Sequence, residues 1–169
     1  NYRQRRDESE MATGFALSPT GVRQSQASVF VQDEIRFAQD RVRLTLGTRV
    51  ERSFWNRWEV QPNARLFMKV DERTRVWAAI SRAARTPSRI DRDLAVSFPA
   101  SALGPGTIVR GNPDMNSENV RTAELRVRHA FSRDLAVDVS AYHSEYRDLR
   151  ATAIEFLNAP PAVVSTVNK

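Results

Sequence analysis

The sequence predicts an all-β chain, an antiparallel meander of about six strands. Three observations carry that reading. Apolar and polar residues alternate in segment after segment, the period of a strand with one apolar and one polar side. Polar clusters with turn chemistry separate the segments. The connections alternate in length, short at one set of ends and long at the other.

Asn1 to Glu10 is polar, and Tyr2 to Arg6 reads as the tail of a strand begun upstream. Thr13-Gly14 and Ser18-Pro19-Thr20-Gly21 make residues 7–23 a loop. From Ala27 to Phe37, Val29, Val31, Ile35 and Phe37 share one face, which Asp33 interrupts. Gln39-Asp40 is a short reversal. Arg41 to Glu51 gives the cleanest alternation, with Val42, Leu44, Leu46 and Val50 against Arg41, Arg43, Arg49 and Glu51. In a helix, at about 100° per residue, those arginines would circle the axis.

Phe54 to Gln61, ending before Pro62, reads as a loop or strand end. Asn63 to Val70 alternates again, Asp71 to Thr74 is a tight polar turn, and Arg75 to Ala84 is a further strand for which a helix competes because of its alanines. Pro87 to Asn119 has no sustained period and reads as one long loop, a length usually reserved for function. Val120 to Phe131 puts Ala123, Leu125 and Val127 on one face and Glu124, Arg126 and Arg128 on the other. A turn at Ser132 to Asp134 leads to a strand from Leu135 to Tyr146, and Val163 to Lys169 begins another after Pro160-Pro161.

Short turns near 39–40, 71–74 and 132–134 thus oppose long loops near 7–23, 52–62, 87–119 and 147–162. A transmembrane barrel of a bacterial outer membrane sorts its loops this way, and strands of about ten residues suit a tilted crossing. The apolar face then meets lipid and the arginine face a polar lumen. Six strands do not close a membrane barrel, for which about eight is the least, so the chain reads as an incomplete segment with two unpaired edges.

The 169 residues carry a net charge of +6, with every cation but Lys69 and Lys169 an arginine. A basic balance suits nucleic acid, anionic lipid or another polyanion, but arginine is scattered over every strand and not gathered in a patch. A soluble Arg-rich β-domain that binds nucleic acid or another polyanion is the alternative. The absence of cysteine excludes disulfides and thiol chemistry. The longest uncharged run, Leu94 to Val109, falls short of the roughly 20 residues of a membrane helix and is broken by proline and glycine. Asn1 is not a start residue, which suggests a fragment.

Four segments resemble, in order and spacing, the barrel of TonB-dependent outer-membrane receptors. Ser28 to Ile35 with Leu44 to Arg49 is similar to the family's aromatic-Val-Gln-Asp-Glu strand and its Leu-x-x-Gly-x-Arg partner. Val76 to Ser88 resembles the strand ending in Arg-x-Pro. Gly111 to Glu118 with Glu124 resembles the Gly-Asn-Pro-x-Leu-x-Pro-Glu segment and the glutamate after it, with Asn116-Ser117 where the family has Lys/Arg-Pro. Tyr142 to Leu149 resembles the strand that ends in Asp-Leu. The resemblance covers about residues 26–150. It implies that residues 1–169 are part of a large barrel of about 22 strands with a plug, in the bacterial cell outer membrane. Such a receptor takes up a scarce nutrient such as an iron chelate or cobalamin. Its plug domain and the contact with its energy-transducing TonB complex lie in regions outside this sequence. The remaining partners are outer-membrane lipid and the small-molecule nutrient, and nucleic acid is not among them.

No catalytic set, cofactor or metal site is expected. His129 and His143 fall on different strands without a third ligand, and belt or surface roles suit them better. Neither Asp33-Glu34 nor Asp91 with Asp93 has a nucleophile or base beside it. Trp55, Trp58 and Trp77 best suit an interfacial aromatic girdle, with contact to a ligand at the external mouth as the alternative for Trp55 and Trp58, which have Arg52 and Arg57 nearby in sequence. Arg89 and Arg92 join them as ligand candidates in the long loop. Arg41, Arg43, Arg49, Arg65, Arg82, Arg126 and Arg128 face the lumen, where they pair with plug carboxylates, guide an anion, or are simply tolerated by water. Arg85 and Glu124 are expected to pair in the wall.

Overall fold

The computed structural model describes residues 1–9, 15–55, 57–99, 106–155 and 162–169. In chain order the elements are β1 (Tyr2–Glu8), β2 (Phe15–Leu17), β3 (Gly21–Phe37), β4 (Val42–Arg52), β5 (Trp58–Lys69), β6 (Thr74–Arg85), α1 (Arg89–Asp93), β7 (Leu94–Phe98), β8 (Thr107–Arg110), β9 (Glu118–Ala130), β10 (Ala136–Arg147), β11 (Arg150–Glu155) and β12 (Ala162–Asn168). Seven strands form one sheet in the order β1-β3-β4-β5-β6-β9-β10, and the others a five-stranded sheet in the order β11-β12-β8-β7-β2. The six-strand meander expected from the sequence is present within the first sheet.

The chain divides into two compact units. One, the wall, comprises Asn1, residues 27–84 and residues 120–146. The other, the loop unit, comprises residues 2–26, 85–119 and 147–169.

Register settles the faces of the wall. Leu44 lies opposite Leu66, which lies opposite Ala78, and Ile35 opposite Leu44. The neighbouring positions line up Arg36, Arg43, Phe67 and Trp77. Directly opposed residues share a face, so one side of β3 to β6 is apolar and the other polar. The apolar side chains are not covered: Val29, Val31, Ile80 and Val139 are each more than 60% exposed. Among the described residues Met115, in the loop unit, is the only fully buried apolar side chain. A water-soluble sheet would have to cover such a face, because apolar burial is its main source of stability.

The wall turns are tight. Ala38, Gln39 and Asp40 all take positive φ, and Arg41 N–H donates to the Ala38 carbonyl at 3.2 Å. In the next turn the Asp71 carboxylate accepts the N–H of Arg73 (2.6 Å) and of Thr74 (2.7 Å) and the Thr74 hydroxyl (2.9 Å). Pro62 sits inside β5 opposite Thr48. The missing N–H is tolerated because the pairing with β6 is registered only from Asn63 onward.

Several expectations are overturned. β3 begins at Gly21, six residues before the alternation does, and β2 lies within the expected loop 7–23. The loop expected near 52–62 shrinks to 53–57, since β5 starts at Trp58. The supposed structureless stretch 87–119 contains α1, β7 and β8, and β11 occupies part of 147–162. Residues 10–14, 100–105 and 156–161, parts of those loops, lie outside the described residues.

The loop unit is held by a polar core. Ser88 caps α1: its hydroxyl bonds the Asp91 N–H, and the Asp91 side chain returns to the Ser88 N–H, a capping box. Asp91 is 1% exposed and meets Arg150 at 2.7 Å. Gly111 crosses just behind this helix, its N–H donating to the Leu94 carbonyl, while Asn112 N–H donates to that of Asp91. A Cβ on Gly111 would stand 2.6 Å from the backbone carbon of Arg92, so no other residue fits that crossing. The Gly-Asn-Pro stretch is therefore where the chain closes over the end of α1.

Candidate functional site

The polar face of the wall holds a recess of about 540 Å³, lined among others by Glu34, Arg43, Arg65, Trp77, Glu124 and Arg126. Strand alternation brings these side chains together from five strands. β3 supplies Glu34, β4 Arg43, β5 Arg65 and Phe67, β6 Trp77, and β9 Glu124 and Arg126. Each lies two residues from another polar-face position, as a period of two requires.

Aromatic rings form the floor of one end. Phe67 and Trp77 pack with centroids 5.4 Å apart at 50°, the Arg43 guanidinium lies 5.8 Å from the Phe67 ring, and that of Arg126 lies 5.5 Å from Trp77. Arg126 also grips Asp138 of β10 through two hydrogen bonds, Nε to Oδ1 at 2.7 Å and Nη2 to Oδ2. The fork to Asp138 holds the Arg126 guanidinium over the indole. Trp77 thus belongs to the polar face and not to an interfacial girdle.

Of the other arginines expected on this face, Arg49 pairs with Glu51 of its own strand. Arg65 and Glu124 make no ion pair among the described residues, and Arg43 Nε is buried without an acceptor. Arg128 follows Arg126 at the next polar-face position of β9. Arg41 does not reach this face: it lies in the turn, where its guanidinium donates to the carbonyls of Lys69 (3.4 Å) and Val70 (2.6 Å). Arg82, one step beyond the registered β5–β6 ladder, meets Glu59 at 3.4 Å and donates to the Val60 carbonyl.

The loop candidates separate. Trp58 opposes Arg52 on the apolar side and is 65% exposed, whereas Trp55 is half-buried in the connection before it. Arg89, expected at a ligand, is buried. Its guanidinium meets Asp7 (3.5 Å), Asp93 (3.2 Å) and the Pro19 carbonyl, so it ties the loop unit together. Arg92 donates to the Met115 carbonyl at 3.3 Å. Arg85 pairs with Glu118 and not, as expected, with Glu124. His129 takes a wall position near a short turn, its Nδ1 2.9 Å from the Thr74 hydroxyl and its ring 4.6 Å edge-on to Phe131. Among the described residues no cluster of three or more His, Asp or Glu side chains suits a metal ion.

Sequence reasoning missed Trp77 in this recess, and it missed Asp91, Glu118 and Arg150. Trp77 was legible: it is odd-numbered, and the apolar residues of its strand, Val76, Ala78 and Ile80, are even. The loop carboxylates left no such signal.

The profile of the family described as TonB dependent receptor-like, beta-barrel matches residues 1–162. No curated protein matches the chain in sequence. Among solved structures it resembles the siderophore receptor PirA from Pseudomonas aeruginosa, with a TM-score of 0.74 and 16% identity over 89% of this chain and 29% of that one. A G324V variant of the ferric enterobactin receptor PfeA from the same organism gives 0.71 and 17% identity over 99% and 27%. The PirA receptor of Acinetobacter baumannii gives 0.70 and 14% over 89% and 24%. The chain spans about a quarter of the length of these structures.

Proposed function

The chain belongs to the TonB-dependent receptor-like β-barrel family, and we propose that it forms part of the wall and external loops of an active-transport receptor for a scarce nutrient. The family is one of transport receptors, and its place is the cell outer membrane. The observation that carries the proposal is the bare apolar face: it leaves Val29, Val31, Ile80 and Val139 without protein cover, while the opposite face carries Glu34, Arg43, Arg65, Trp77, Glu124 and Arg126, groups suited to a wet lumen.

The cargo we propose is an iron chelate, in keeping with the siderophore and ferric enterobactin receptors that share the fold; cobalamin is the other nutrient class that the family suggests. Arg43, Arg49, Arg65, Arg126 and Arg128 would face the receptor's own plug. Trp55 would meet cargo at its connection, while Trp58, on the lipid side, would serve the interfacial girdle. Within the loop unit, Arg92 is a separate cargo candidate. The energy-transducing TonB complex would engage regions outside this chain. Unmatched charges at Arg65 and Glu124 suit a polar counterpart, since an ion left alone in a narrow lumen is poorly compensated.

Growth tests the reading directly. A strain lacking the receptor should lose growth on one defined iron chelate as sole iron source and regain it with the intact gene. Normal growth of that strain on every iron chelate and on cobalamin would overturn the cargo proposal.

A further inference from the structure

The apolar face of the wall is not uniformly suited to acyl chains. A groove of about 670 Å³ is cut into it, its walls made by Leu46, Ala64, Ile80 and Ala123 and its rim by Arg121 and His143. Leu46, Ala64 and Ile80 belong to the apolar side by register. Arg121 and His143 share that side by alternation: they are odd-numbered like Ala123, Leu125 and Val139, whereas Thr122 bonds Ser144 at 3.1 Å among the even-numbered polar-face residues. The groove exists because small side chains, Ala64 and Ala123, stand between larger ones.

Its rim carries Arg121 and His143 at a particular height. Arg121 comes three residues after the start of β9 at Glu118, and His143 four before the end of β10 at Arg147. At about 3.4 Å per residue they lie roughly 10–14 Å along the strands from the ends opposite the short turns, less in depth because such strands tilt. The ends opposite the short turns are where a membrane strand leaves the acyl layer for the headgroups, so both residues stand near that border. Arg82 also reaches the groove, but Glu59 already meets it, and Glu145 stands on the same rim. Arg121 makes no ion pair among the described residues. A guanidinium at the border of the acyl layer is best matched by an anionic headgroup.

We infer that this groove docks a net-anionic, phosphate-bearing membrane lipid, with one acyl chain along Leu46, Ala64 and Ile80 and the phosphate on Arg121. Arginine binds phosphate through paired N–H groups, and basic pockets beside an apolar surface select anionic headgroups. The inference rests on the outer-membrane reading, which orients this face toward lipid.

The test reconstitutes the full-length receptor in phosphatidylcholine nanodiscs containing a minor fraction of phosphatidylglycerol and counts retained lipid by native mass spectrometry. Phosphatidylglycerol should be retained in preference to phosphatidylcholine. Arg121→Gln should lower that retention about fivefold, the loss associated with one basic residue at an anionic headgroup layer. Arg133→Gln, in the short turn at the other end of the wall, should leave it unchanged, and His143→Gln supplies a second rim variant if the first folds poorly. Equal retention of both lipids, an unchanged count in Arg121→Gln, equal loss in Arg133→Gln, or adducts of inorganic phosphate alone would each overturn the inference. Failure of the membrane reading is distinct: the wild-type receptor would not enter the nanodisc at all.

Discussion

Arg85 and Glu118 close an ion pair between the last residue of β6 and the first of β9. The two contribute unequally. Arg85 is 59% exposed at its side chain and Glu118 only 16%, and the second Glu118 oxygen accepts the Arg150 N–H at 2.7 Å. Glu118 therefore joins the start of β9 to the start of β11 as well as to Arg85.

Removing either partner should separate these roles. Arg85→Ala should cost well under about 1 kcal/mol locally, because an exposed pair is screened by water. Glu118→Ala leaves a backbone donor without its acceptor and should cost about 1–3 kcal/mol. Hydrogen exchange at the Arg150 amide measures both, and equal effects would show that the backbone acceptor role is unimportant.

Gly111 should be irreplaceable where Gly21 is not. An added Cβ at Gly111 would meet backbone of Arg92 and Leu94 at 2.6–2.9 Å, while at Gly21 it meets nothing within 4 Å. Gly111→Ala should destabilise the α1 crossing by about 1–3 kcal/mol, the usual range for overpacking, and raise proteolytic cleavage after Arg92. Gly21→Ala should leave the cleavage pattern as it is.

The turn at Asp71 should open in acid. Hydrogen bonds from the Arg73 backbone first, then from the Thr74 side chain and backbone, hold the Asp71 carboxyl below its ordinary value of 3.8. A depressed carboxylate contributes stability that is complete above the unfolded value and is lost as pH falls through the folded one. Amide protection at Arg73 and Thr74 should therefore decline below about 3.8 and not near neutrality. Asp71→Asn should abolish that pH dependence, and its persistence would assign it to another group.

Alternate residues of β9 should report opposite surroundings. The chain has no cysteine of its own, so Leu125→Cys and Arg126→Cys give defined labelling sites within it. A spin label at position 125 should collide with dissolved oxygen, which concentrates in lipid, and one at 126 with a water-soluble nickel chelate. The same preference at both positions would refute the two-faced wall.

Legibility in the sequence follows the surroundings of each strand. β4, β6, β9 and β10 were readable because half of each meets an apolar medium, which writes a period of two into Val42, Leu44 and Leu46 or Leu125 and Val127. The opening of β3, Gly21 to Gln26, pairs as a strand with polar residues on both sides and so carries no such period. Pro62 pointed to a loop because its missing donor is costly only where a neighbour needs it. In the polar recess the arginines were legible by parity, but their partners were not. Arg126 with Asp138 and Arg85 with Glu118 depend on pairings between strands that no local pattern encodes.

The strand order bears on how the wall assembles. β3 to β6 join through connections of a few residues, whereas β6 and β9 are neighbours only after the excursion 86–117 has been bridged. From about four residues to about thirty is three doublings of loop length, worth about 2 kcal/mol of closure entropy. The β3–β6 block and the β9–β10 hairpin should thus form as separate pieces, and their seam should close last. Pulsed hydrogen labelling during refolding would then protect the Leu66 amide before that of Ala130, which donates to the Arg73 carbonyl across that seam. The last pairing to form would thus be the one whose partners lie furthest apart along the chain, and lengthening the excursion should slow that step alone.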